Sequence, residues 1–141
     1  MSRITVRSLL VSLIAAWLAT ATAAENLDGT WILRIKNPEH KEVSTLTIRF
    51  SEESARSCLG GSWKQVIVKA AQSTDKKFFP ISDPLSYQLE GSKLTIGRNG
   101  VCDAYLHLSG TFDGTKAEGS YGTLGWGSSR RLGEFSLVRS Q

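Results

Sequence analysis

Apolar and polar residues alternate with a period of two along most of the chain after residue 29. In residues 30–36 the side chains of Trp31, Leu33 and Ile35 point to one side, and a similar pattern returns in residues 43–50. Such alternation is typical of a β-strand with one buried face, because successive side chains of a strand point to opposite faces. The chain is therefore predicted to consist of strands.

Further strand-like segments follow as far as the C-terminus. They cover residues 63–70, 85–89, 94–96, 104–112, 116–121 and 132–139. The fourth of these segments places Tyr105 and His107 on its polar face. Residues 52–57 follow Ser51, which is a candidate helix cap, and they are the only segment for which we expect a short helical turn.

Tight turns separate the later strands. Asn99-Gly100 and Asp113-Gly114 are dipeptides typical of hairpin turns, because their residues tolerate positive φ angles. About eight consecutive strands joined by short turns predict an all-β, antiparallel meander. A meander that closes into a barrel has no free edge, so a single-domain barrel is the predicted fold. A β-sandwich is the alternative.

The first 24 residues have the features of a secretory signal peptide. Arg3 and Arg7 form a basic head, residues 9–19 are an apolar stretch of 11 residues, and small residues follow at 21–24. This stretch is too short for a transmembrane helix, which needs about 20 residues. We expect residues 1–24 to be removed on export to the periplasm or beyond the cell, leaving residues 25–141 as one domain without a transmembrane segment.

The charge of the chain gives little support for nucleic-acid binding. Without its leader the chain has 15 basic and 13 acidic residues, a net charge of +2. Binding to nucleic acid through charge needs a dense basic stripe, whereas the basic groups here are short pairs. We therefore expect no nucleic-acid partner.

The chain has two cysteines, Cys58 and Cys102. An oxidising compartment favours pairing them in a disulfide that closes a segment of 45 residues. The alternative is a reactive or metal-bound thiol, but neither cysteine has a histidine or a second cysteine near it in sequence. The sequence therefore predicts a Cys58–Cys102 disulfide.

Motifs typical of catalysis or metal binding are absent from the sequence. It contains no Gly-x-Ser-x-Gly nucleophile motif, no His-x-x-x-His and no Cys-x-x-Cys. His40 lies in a turn and His107 on a polar strand face, and neither has a neighbour in sequence that would orient it as a general base. The acidic residues are scattered over turns and polar faces. We expect no enzyme activity, no cofactor and no metal, and a small barrel enzyme is the least favoured alternative.

Two short motifs stand at the ends of the strand-rich region. Gly29-Thr30-Trp31 opens the first strand, and Phe135-Ser136-Leu137-Val138-Arg139 closes the last. In these motifs the chain resembles the small lipocalin-like, or calycin, barrels, in which the first-strand tryptophan packs across the barrel floor near an arginine of the final strand. The resemblance implies that Trp31 and Arg139 form such a pair, with a cation–π contact. It also implies a binding fold, without indicating a particular ligand.

The loop at residues 71–84 contains Lys76, Lys77, Phe78 and Phe79. A phenylalanine pair beside two lysines is able to contact a membrane surface or a protein partner. We favour the interpretation that the loop folds back and caps one end of the barrel, because the phenylalanine rings have no polar group.

The segment at residues 121–131 is the predicted binding site. It combines Tyr121 and Trp126 with Arg130 and Arg131 on a glycine-rich stretch. Aromatic and arginine side chains are enriched among the residues that dominate binding energies, and arginine forms strong hydrogen bonds with carboxylates. The alternative is a glycine-kinked strand in which Trp126 fills the barrel.

Glu118-Gly119-Ser120-Tyr121 shares its Gly and Tyr spacing with a loop of bacterial periplasmic lysozyme inhibitors. Some of those inhibitors insert a Ser-Gly-x-Tyr-like loop into the lysozyme cleft, so the resemblance implies a contact role for Tyr121. Taken together, the sequence predicts an exported, non-enzymatic binding protein with an unidentified protein or small-molecule partner. An inhibitor of a hydrolase such as lysozyme is the alternative.

Overall fold

The computed structural model describes residues 26–141, which form eight β-strands and no helix. The strands are β1 (Trp31–Lys36), β2 (Glu42–Ala55), β3 (Trp63–Ser73), β4 (Leu85–Glu90), β5 (Lys93–Arg98), β6 (Tyr105–Phe112), β7 (Lys116–Gly125) and β8 (Ser128–Arg139). The predicted signal peptide lies outside the described residues.

The sheet closes on itself. Each strand pairs antiparallel with the next, and β8 returns to pair with β1. The closing pairs run from Trp31 opposite Arg139 to Lys36 opposite Glu134. Closure gives every strand two neighbours, although β3 pairs with β4 only over residues 64–66 and residues 67–73 pair with β2 alone. The predicted eight-stranded antiparallel meander barrel is confirmed, and the sandwich alternative is wrong.

The alternating apolar residues meet inside the barrel. Trp31, Leu33 and Ile35 of β1 are fully buried, as the alternation predicted. They belong to one hydrophobic cluster that includes side chains from each of the other seven strands. The apolar void bordered by Phe79 and Ile96 has a volume of only about 10 Å³. A space of that size is roughly enough for one water molecule. Side chains, rather than a ligand cavity, fill this part of the interior.

The helical turn expected at residues 52–57 is wrong. Residues 52–55 continue β2, and after an irregularity in the ladder Ser54 and Ala55 pair with Lys64 and Trp63 of β3. A single helical turn fixes several backbone angles for one hydrogen bond, whereas pairing with β3 extends a ladder that already exists. β3 also runs to Ser73, three residues beyond the predicted end at residue 70.

The odd-numbered strands begin at one end of the barrel, called here the Trp31 end, and finish at the other, the Trp126 end. The loop between β3 and β4 covers the Trp126 end, where the rings of Phe78 and Phe79 meet Tyr121 edge-on at 5.3 and 5.4 Å. Asp83 of the same loop lies 2.8 Å from the Nε atom of Arg98. The prediction that this loop caps the barrel is confirmed.

A disulfide joins Cys58 to Cys102, as predicted. Cys58 follows β2 at the Trp31 end, whereas Cys102 follows β5 at the Trp126 end. The loop at residues 56–62, called here the strap, therefore lies along the outer face of the barrel. Its Ser57 Oγ is 3.4 Å from the Tyr105 hydroxyl. Tyr105 points outward from β6, yet it is only 2% exposed.

Candidate functional site

The tip of the β7–β8 hairpin presents an aromatic side chain to solvent. Trp126 is 96% exposed. It forms a two-residue turn with Gly127 between the paired residues Gly125 and Ser128. Gly127 has a φ angle of 71°, which glycine adopts without steric cost. The turn holds the indole ring outside the barrel, so the alternative in which Trp126 fills the interior is wrong.

Two other large apolar side chains of the described chain are exposed, one in the strap and one next to the disulfide. Leu59 of the strap is 36% exposed and Val101, next to Cys102, is 41% exposed. Together with Trp126 they are the large apolar side chains that remain exposed among residues 26–141. Leu59, Leu124, Trp126 and the disulfide border a shallow surface depression of about 400 Å³. We call Leu59, Leu124 and Trp126 the Trp126 patch.

The two predicted arginines follow the hairpin tip on β8 and are both exposed. Arg131 lies 3.4 Å from the carboxylate of Glu134, which also lies 3.3 Å from His40. Arg130 forms no ion pair with another described residue, and the same holds for Arg56 in the strap. Asp103 is the one acidic side chain that borders the depression. Asp103 has no ion-pair partner among the described residues either, and no basic side chain borders the depression, so the positive charge near the hairpin tip is that of the arginines on β8.

Tyr121 does not belong to this surface. Its side chain is fully buried, and its hydroxyl donates a 2.6 Å hydrogen bond to the backbone oxygen of Phe78. Burial also raises the pKa of Tyr121. The contact role suggested for Tyr121 is corrected to a core role: the alternation that groups it with Ala117 and Gly119 turns that side of β7 inward.

His107 packs against an aromatic ring rather than against acidic groups. Its ring lies parallel to that of Tyr105, with centroids 5.9 Å apart. Burial lowers the pKa of His107, and no carboxylate within residues 26–141 forms an ion pair with it. The described part of the chain also contains no cluster of three or more histidine, cysteine, aspartate or glutamate residues that could hold a metal ion.

The Trp31 end contains a feature that the sequence did not reveal. A cleft of about 590 Å³ opens there, bordered by Asp28, Phe50, Glu52, Lys64, Tyr87 and Glu90. These residues come from four separate parts of the chain, so no local motif marks the cleft. Beside it, the guanidinium carbon of Arg139 lies 4.4 Å from the centre of the Trp31 ring. This is the pair that the lipocalin-like resemblance implied.

No protein-family model, curated protein or solved structure matches the chain. The closed eight-stranded antiparallel barrel is compatible with a lipocalin-like architecture. In the part of the chain that the structure describes, no helix has the length and apolar character needed to cross a membrane.

Proposed function

We propose that this chain is an exported, non-enzymatic binding protein whose Trp126 patch docks onto an acidic surface of another protein. The observation that supports this most directly is the exposure of Trp126, at 96%, on a hairpin tip. Tryptophan brings a large apolar area with few rotatable bonds, so holding it still in a complex costs little entropy. Its removal from an interface typically weakens binding by about 2 kcal/mol or more.

Unpaired arginines on β8 and in the strap favour a partner with carboxylates. Arg130 and Arg56 have no ion-pair partner within residues 26–141, so their guanidinium groups are available to a bound molecule. Arginine binds carboxylates through strong, charge-assisted hydrogen bonds. Opposite charges at the rim of an interface also accelerate association.

The rigidity of the surface supports docking without large rearrangement. Leu59 belongs to a strap fastened by the Cys58–Cys102 disulfide, and Trp126 lies in a two-residue turn closed by the pair Gly125 and Ser128 of the β7–β8 ladder. A surface that is already ordered loses less conformational entropy on binding. The disulfide is also in keeping with export to an oxidising compartment.

Inhibition of a hydrolase such as lysozyme is the second candidate function. The projecting hairpin tip favours it, because a protruding aromatic residue flanked by arginine suits insertion into an acidic cleft. This candidate now relies on Trp126 and Arg130, since Tyr121 is buried in the core. A lysozyme activity assay with and without the protein tests it directly.

The main proposal is tested by crosslinking followed by affinity measurement. A photo-crosslinking amino acid at Ser128, beside the hairpin tip, is used to identify the partner in the exporting cell. Affinity for the purified partner is then measured for the wild type and for Trp126→Ala, Leu59→Ala and Arg130→Ala. Arg49→Ala is the matched control, because Arg49 is an exposed arginine on β2.

We expect Trp126→Ala to weaken binding by about 2 kcal/mol, roughly 30-fold. Arg130→Ala should also make the affinity less dependent on salt, whereas Arg49→Ala should have no effect. A partner that binds the Trp126→Ala and Leu59→Ala variants as tightly as the wild type would rule out the patch as the docking surface.

A further inference from the structure

The cleft at the Trp31 end lies away from the Trp126 patch and has no role in the proposed docking. It opens between the segment at residues 26–28, the end of β2, the start of β3 and the end of β4. Its volume of about 590 Å³ is within the range of roughly 300–1,000 Å³ typical of small-molecule sites. The cleft is thus large enough for a small organic ligand.

Aromatic and aliphatic side chains form the floor of the cleft. The rings of Phe50 and Tyr87 meet edge-on with centroids 4.8 Å apart. The Tyr87 hydroxyl donates a 3.1 Å hydrogen bond to the backbone oxygen of Ser51, which fixes the ring. Leu27 and Leu89 add partly buried aliphatic surface. A ligand that enters the cleft therefore meets a fixed apolar surface.

Carboxylates outnumber basic groups along the walls. Asp28, Glu52 and Glu90 border the cleft together with Lys64 as its one basic side chain. The ammonium of Lys64 is paired with Glu52. Neither Asp28 nor Glu90 forms an ion pair with another residue of the described chain. Two carboxylates are left to interact with a bound ligand.

The carboxylates also act on the floor of the cleft. Burial, the negative charge of Glu52 and that of Asp28 raise the pKa of Tyr87 to about 12. The same negative charges that keep the buried Tyr87 phenol protonated attract a cation that enters the cleft.

Arg139 lies beside the cleft but forms no ion pair with its carboxylates. The guanidinium of Arg139 stacks on Trp31 and donates hydrogen bonds to the backbone oxygens of Asp28 and Asn26. These contacts engage it with backbone carbonyls rather than with the Asp28 carboxylate. The arrangement of Arg139 over Trp31 also shows that this end of the barrel already holds one organic cation on an aromatic ring.

We propose that the cleft binds a small organic ammonium ion with an apolar body. The unpaired carboxylates of Asp28 and Glu90 attract the ammonium group, and the partly buried ring of Phe50 offers it an aromatic surface. The apolar body of such a ligand gains by burial against Phe50, Leu27 and Leu89. Anionic ligands are disfavoured because carboxylates border the cleft.

The test compares two probes of the same shape and different charge, choline and 3,3-dimethyl-1-butanol. Each is titrated into the isotopically labelled protein, and binding is followed by amide chemical shifts in NMR spectra. We expect choline to bind about tenfold more tightly than the neutral alcohol, with shifts concentrated at Phe50, Tyr87 and Leu89.

Two substitutions and a matched control test whether the carboxylates that border the cleft attract choline, or whether any acidic residue on the surface has the same effect. Asp28→Asn and Glu90→Gln together should weaken choline binding about fivefold or more, because each removes a carboxylate that borders the cleft. Glu53→Gln should leave binding unchanged, since Glu53 is an exposed acid next to Glu52 that does not border the cleft. All three substitutions replace exposed side chains with neutral ones of similar shape.

Equal affinity for choline and its neutral counterpart would overturn the proposal. So would the absence of choline-induced shifts at millimolar concentration, or an equal loss of binding in Glu53→Gln. The Trp126→Ala variant should bind choline as the wild type does, so failure of the docking proposal and failure of this one are distinguishable.

Discussion

Removal of the Cys58–Cys102 disulfide is expected to destabilise the barrel mainly through the unfolded chain. The two cysteines are 44 positions apart, and in the unfolded state their bond holds the ends of that long loop together. The loop-entropy relation for such a segment gives about 4 kcal/mol at 25 °C. This value is the expected loss for Cys58→Ala/Cys102→Ala if the folded strap keeps its place.

The loss of stability in the double cysteine variant is smaller if the strap detaches from the folded barrel. Without the disulfide, the strap keeps the 3.4 Å contact between Ser57 and Tyr105 and the 2.9 Å hydrogen bond from the Trp63 indole to the Gly60 oxygen. A strap that comes free regains backbone entropy while it loses those contacts, and the net gain offsets part of the loss in stability. The expected range is therefore about 2–4 kcal/mol.

Urea unfolding followed by circular dichroism measures the loss. With a urea dependence of about 1.5 kcal/mol per molar, a loss of about 2–4 kcal/mol should lower the urea midpoint by roughly 1.3–2.7 M. The wild type with reductant should match the double variant, while Ser57→Ala, which keeps the disulfide, should change the midpoint little. Hydrogen exchange of the strap backbone reports whether the strap has detached. A midpoint shift below about 0.5 M would refute the argument from unfolded-chain entropy.

Three further outcomes follow from named contacts. Gly97→Ala should destabilise the fold by about 1–3 kcal/mol in urea unfolding, because an added Cβ atom would lie 2.0 Å from the Tyr105 hydroxyl oxygen. Gly100→Ala is the control, since nothing lies within 4 Å of its added Cβ, and equal losses in the two variants would contradict the packing argument. Burial raises the pKa of Tyr87, Tyr105 and Tyr121, that of Tyr87 to about 12, so folded phenols keep protons that unfolded phenols lose near pH 10. The contribution of these phenols to folding stability should be fully present below about pH 10 and should be lost as the pH rises toward about 12. Absorbance at an alkaline pH should show the delayed ionisation, and a phenol that titrates near pH 10 in the folded protein would count against it. Trp126→Ser should change stability by less than about 0.5 kcal/mol and should remove the fluorescence that acrylamide quenches most readily, because Trp31 and Trp63 are buried. Unchanged quenching would mean that Trp126 is shielded.

The sequence itself determined most of the strands, and it determined the inward faces of those with clear alternation, whereas the blurred pattern of residues 63–70 left the buried face of that strand open. Alternation with a period of two identifies a strand from its own residues, and turn dipeptides such as Asp113-Gly114 identify hairpins in the same way. Trp31, Leu33 and Ile35 are buried as their spacing predicted. The disulfide also followed from the sequence, because the chain has two cysteines and so a single intramolecular pairing.

Only the tertiary structure shows which side chains of the candidate sites are exposed. Tyr121 and Trp126 share one glycine-rich segment, yet one is fully buried and the other is 96% exposed. The difference depends on which face of β7 turns inward and on where the last pair of the β7–β8 ladder lies. Composition alone, aromatic residues next to arginine, does not contain that information.

The burial of Tyr105 on the outer face and the cleft at the Trp31 end both arise because the fold brings distant segments of the chain together. Tyr105 lies on a strand face that reads as polar, and the strap held by Cys58 covers it. Asp28 and Glu90 border one cleft although they are far apart in the sequence. The period-two alternation and the turn dipeptides involve residues that are neighbours in the sequence, so the sequence determined most of the strands. Closure of the barrel and attachment of the strap bring distant segments together, so only the tertiary structure decided which surfaces remain open to a ligand.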